Sequence, residues 1–66
     1  MTGLHAYGIV SVARRKGMTL LAIAKRVGCT TDTIQKWKLG RVQRVNAAIA
    51  ANLGALLEEV RGGSNE

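Results

Sequence analysis

Residues 20–39 read as two short helical patterns separated at Gly28, and that brevity limits how the chain can pack. In the first, Leu20, Ile23, Ala24 and Val27 recur at i, i+3, i+4 and i+7, one apolar face of a helix. In the second, from Thr31 to about Leu39, Ile34 and Trp37 are three apart and form the inward side. Thr31, Asp32, Gln35, Lys36 and Lys38 are left facing outward. Gly28 suits a left-handed turn at little steric cost. Such a pair is a helix-turn-helix, the first helix bracing the second at a steep angle through Ala24, Val27, Ile34 and Trp37. Ala24 is small, which lets the two axes approach closely, and Cys29 plugs the turn.

The other segments also read as helices. One spans about Leu4 to Lys16, capped by Thr2, with His5, Ile9, Val12 and Ala13 on its inward side and Gly8 a point of close packing. Arg14, Arg15 and Lys16 complete its last turn, where cations suit the negative end of the helix dipole, and they are assigned to the far side of the domain. Thr19 and Thr30 cap the two short helices, and Gly17 and Gly40 stop the first and third. Residues 41–45, RVQRV, form a basic connection. Asn46 caps a last helix from Ala47 to about Val60, carrying Ile49, Leu53, Leu56, Leu57 and Val60 as its apolar stripe. Gly54 lies inside that stripe, and no capping residue follows it, so one continuous helix is expected. With no proline and no sustained alternation of apolar and polar residues, the fold class is all-α, a compact four- to five-helix domain over residues 1–61 with a flexible tail at 62–66.

Sixty-six residues support one small domain with a thin core. Cys29 is the only cysteine and His5 the only histidine, so disulfides and a metal site are not expected. No paired carboxylates, nucleophile–base set or phosphate loop is present, and no enzymatic activity or cofactor is expected. No transmembrane span or leader pattern is visible, and a cytoplasmic protein without membrane or small-molecule ligand is expected. The charge points elsewhere. Ten Lys and Arg oppose four Asp and Glu, a net charge of +6. Residues 1–57 hold nine cations against one anion, Asp32. A surplus of this kind selects polyanionic partners, nucleic acid first. An α-helix fits the major groove of B-DNA, where polar side chains reach base edges while surrounding cations hold phosphates.

The stretch GMTLLAIAKRVGCTTDTIQKWKLG resembles the helix-turn-helix of the lambda-repressor/Cro-like (XRE-type) family, with Gly17, Thr19, Ile23, Ala24, Val27, Gly28, Thr30, Thr33, Ile34, Trp37 and Gly40 in register. IAANLGALLEEV is similar to the family's later segment. The family often has glutamine at the start of both helices, where this chain has Leu20 and Thr31. The resemblance implies that Thr31 and Asp32 face bases or nearby phosphates and that Gln35 and Lys36 face bases. It implies that Thr33 contacts a phosphate or serves the turn. Gln35 suits adenine and Lys36 guanine, while Asp32 suits either cytosine N4 or the helix dipole. Lys38, Arg41 and Arg44 follow the reading helix and are assigned to phosphates, with Arg41 or Arg44 alternatively reaching the minor groove. Lys25 and Arg26 are further phosphate candidates. Trp37 is read as core rather than as a stacking platform.

The leading expectation is a sequence-specific double-stranded DNA-binding transcriptional regulator, a Cro-like repressor of a phage or mobile element. It would bind its operator as a homodimer, with Leu56, Leu57 and Val60 as candidate dimer surface and at least two of them packed within the subunit. The alternatives are an excisionase-like accessory DNA-binding factor and a small protein-interaction module such as an antitoxin.

Overall fold

A computed structural model describes residues 1–62 as four helices: α1 (Gly3–Arg15), α2 (Leu20–Val27), α3 (Thr31–Lys38) and α4 (Ala47–Gly62). No strand occurs among the described residues, and no helix there is long and apolar enough to cross a membrane. Local side-chain chemistry starts each helix. The hydroxyls of Thr2, Thr19 and Thr30 accept from the backbone N–H of His5, Ala22 and Thr33 at 3.1, 3.1 and 3.2 Å. Asn46 Oδ1 accepts from Ala48 N–H at 2.8 Å. Each satisfies a donor that the first helical turn leaves free. Gly28 ends α2 at φ 89°, and both its own N–H and that of Cys29 donate to Ala24 O at 2.9 Å. A side chain at that angle would strain the backbone.

The core gathers one face from every helix. Trp37, Ile23, Ile34, Leu53, Leu56, Val10 and Val27 are its largest fully buried side chains. α4 packs across both α1 and α2, and α3 packs against α1 and α2. Gly54 is traversed without a break, as expected. Leu56 is fully buried, and Leu57 and Val60 are half-buried against the same core, so Leu56 offers no surface to a second copy. Gly62 still belongs to α4, one residue into the expected tail, and 63–66 lie outside the described residues. Cys29 is half-buried beside the core rather than sealed within it, and burial pushes its thiol above the ordinary value by penalising the charged thiolate.

The inward face of α1 differs from the expected one. Gly3, Ala6, Ile9, Val10 and Ala13 are buried, whereas His5 is exposed and Val12 half-buried. The reason is that three of the five are small residues, whose weak hydrophobicity hides the stripe in the sequence. Their smallness is what admits α3 and the segment after it. Gly3 N–H donates to Val42 O at 2.9 Å, and a Cβ at Gly3 would stand 3.0 Å from that oxygen and 3.2 Å from Trp37 Cα. Gly8, read as a close-packing point, has nothing within 4 Å of an added Cβ. Opposite signs follow. Gly3→Ala should lower stability by about 1–3 kcal/mol, since the atoms it meets are backbone held by hydrogen bonds. Gly8→Ala and Gly54→Ala, both inside helices with open space around them, should each raise it by up to about 1 kcal/mol. Urea midpoints of the three variants measure this, and a neutral Gly3→Ala would mean the α1–α3 approach can relax.

The 41–45 connection is more than a linker. Val45 is buried and Val42 half-buried, and Val45 N–H donates to Met1 O at 2.8 Å. With the two valines turned inward, Arg41, Gln43 and Arg44 are left exposed. Asn52 of α4 donates from Nδ2 to Val27 O at 3.0 Å, satisfying a carbonyl at the C-terminal end of α2. That bond ties α4 to the turn between α2 and α3.

Candidate nucleic-acid interface

Ile34 and Trp37, each 1% exposed, hold α3 against the body. Helical geometry then decides where its other residues go. Asp32, Gln35 and Lys36 lie on the side away from that pair and are exposed. Leu39, the C-cap of α3 and 63% exposed, extends the same ridge. From the sequence Leu39 marks only the approximate end of α3, since its exposure depends on what packs beyond the helix. Thr31 is half-buried at the start of the ridge.

Thr33 is half-buried, its N–H donates to Thr30 Oγ1, and the two hydroxyl oxygens are 3.1 Å apart. Of its two expected roles, this geometry serves the turn. Asp32 is the acidic residue of the first turn of α3, where a carboxylate complements the positive end of the helix dipole.

All ten Lys and Arg side chains are exposed. Lys36 and Lys38 stand on α3, Arg41 and Arg44 follow it, and Lys25 is on α2. Arg26, also on α2, pairs through its Nη2 with Glu59 Oε1 of α4 at 3.0 Å. A carboxylate partner on α4 takes up this guanidinium, although an exposed pair of this kind adds little stability. It is the one ion pair among the described residues, and the other nine cations have no carboxylate partner there.

Arg14 departs from expectation. Rather than lying on the far side, it lines a cleft of about 300 Å³ between α1 and α3, together with Tyr7, Ser11, Leu20, Ile34, Gln35 and Lys38. Tyr7, Ser11 and Arg14 are spaced four and three residues apart, so they form one flank of α1, beside its buried stripe. That spacing was visible in the sequence, but which flank of α1 meets α3 was not. The arrangement as a whole is an exposed polar ridge, anchored by Ile34 and Trp37, with Lys38, Arg41 and Arg44 exposed at and beyond its end and in no ion pair among the described residues. Its chemistry is hydrogen bonding along the ridge and anion binding at its margins. Comparison with known protein families, with characterised proteins and with solved structures finds no match for this chain.

Proposed function

We propose that the chain is a sequence-specific double-stranded DNA-binding regulator of transcription. In this reading α2 and α3 form a helix-turn-helix of the lambda-repressor/Cro-like type, and the protein acts as a Cro-like repressor. The observation that carries it is the exposed ridge of Asp32, Gln35 and Lys36 on a helix anchored by Ile34 and Trp37, with exposed cations on that helix and in the segment after it. α3 enters the major groove, Gln35 and Lys36 read base edges, and Thr31 and Asp32 stand at its leading end. Lys38, Arg41, Arg44 and Lys25 hold phosphates.

An eight-residue helix is about 12 Å long and spans roughly four base pairs, too few for a unique site. Two copies on two-fold-related half-sites would double that reading length. Selection of bound sequences from a random duplex pool tests the proposal. Enrichment of a palindrome with half-site centres about one helical turn apart is the expected result. A pool that stays random after repeated selection would overturn it.

Once a preferred site is in hand, Gln35→Ala and Lys36→Ala should each weaken binding to it by about 1–3 kcal/mol, with much smaller losses on random duplex. Equal losses on both would remove those two residues from base reading.

A further inference from the structure

We infer that the cleft between α1 and α3 is a seat for one backbone phosphate of the bound duplex, gripped by Arg14 from α1 and Lys38 from α3. This inference rests on the DNA-binding reading above and adds to it a helix that stands outside the reading motif. The cleft is built for an anion. No residue lining it is acidic, and neither Arg14 nor Lys38 makes an ion pair among the described residues. Arg14 and Lys38 are exposed and reach the cleft from opposite helices, α1 and α3, with Tyr7, Ser11 and Gln35 as further polar lining.

The donors are complementary. Arg14 offers a planar fork matched to two phosphate oxygens, and Lys38 offers a point charge. Ser11 Oγ already donates to Tyr7 O at 3.0 Å, leaving the Tyr7 hydroxyl as the uncharged donor. Position selects a duplex phosphate over a free anion. Gln35 belongs both to the cleft and to the outward ridge, so a base edge at Gln35 and a phosphate in the cleft lie within reach of one strand. A helix in the major groove runs between two phosphate walls, and the cleft lies on one flank of α3, where such a wall passes.

The test is the salt dependence of duplex binding by the full chain, read as fluorescence anisotropy of a labelled duplex. Each lost phosphate contact should reduce the slope of log affinity against log salt by about one. With one seat in each of the two bound copies, Arg14→Gln is expected to reduce the slope by about two, and to weaken preferred and random duplexes by similar factors. Arg14→Lys should recover part of the affinity and the whole slope. Arg15→Gln removes the same charge from the neighbouring exposed position, and it should keep the parent slope. Because Arg14 also lies in the last turn of α1, where a cation stabilises the helix, melting temperatures of all variants are compared.

An unchanged slope for Arg14→Gln, or one equal to that of Arg15→Gln, overturns the phosphate seat while leaving the DNA reading in place. Failure of the parent chain to bind any duplex overturns both. Saturation of the Tyr7 and Gln35 NMR signals by sub-millimolar inorganic phosphate, with the duplex slope of Arg14→Gln intact, would make the cleft a small-anion site and overturn the duplex assignment.

Discussion

Trp37→Ala should leave the chain unfolded, or nearly so, at room temperature. Trp37 is 1% exposed and is the largest of the fully buried side chains. Its backbone also lies close to Gly3 of α1, where an added Cβ would stand 3.2 Å from Trp37 Cα. Truncating a buried aromatic to alanine costs about 3–5 kcal/mol through lost burial and the cavity left behind. A domain below about 70 residues rarely has more than 3–5 kcal/mol in total from a single core. The loss therefore matches the whole stability of the domain. Far-UV circular dichroism against urea is the measurement, since the substitution removes the only tryptophan and with it the tryptophan fluorescence signal. A cooperative transition near the parent's midpoint would show that the ring carries little of the core. Ile34→Ala at the adjacent anchor should cost somewhat less, about 2–5 kcal/mol, and loosen α3 in the same way.

Raising salt from 50 to 200 mM should weaken duplex binding by roughly 10²–10⁴, the fall expected when four to eight phosphates are contacted by a pair of copies. Nine of the ten cations are unpaired among the described residues, and only Arg26 is drawn to a carboxylate, that of Glu59. Binding that ignores salt would contradict an interface built on those cations. It would favour a surface that recognises a protein instead. Arg26→Gln belongs in the same series. Since its guanidinium is engaged with α4, the slope should change less than for Lys38→Gln.

Much of the fold can be read locally, and the reason is visible residue by residue. Thr2, Thr19, Thr30 and Asn46 each accept from an N–H two or three residues on, so the bond that starts a helix is contained in a few consecutive residues. The inward face of α3 follows from apolar periodicity alone, because Ile34 and Trp37 are large and their neighbours polar. On α2 the i, i+3, i+4, i+7 spacing of Leu20, Ile23, Ala24 and Val27 gives the face, although the exposed Leu21 and Ala22 are apolar too. Exposure of Asp32, Gln35 and Lys36 follows in turn, as the back of a helix whose front is known.

α1 resists that approach. Its buried stripe includes Gly3, Ala6 and Ala13, which register weakly as apolar, so His5 and Val12 were the more conspicuous choices. Once the stripe is displaced, Arg14 moves from the far side to the α1–α3 cleft. Val45 is likewise hidden in a basic connection, and only the tertiary structure shows it buried, with its N–H donating to Met1 O.

Local chemistry therefore sets where each helix begins and ends and which side of α2 and α3 turns inward. Those choices depend on hydrogen bonds and side-chain spacing within a single turn or two. Long-range packing sets which flank of α1 meets α3, the tie from Asn52 to Val27, and the pairing of Arg26 with Glu59. Each of these joins residues far apart along the chain, so each exists only after the helices have docked.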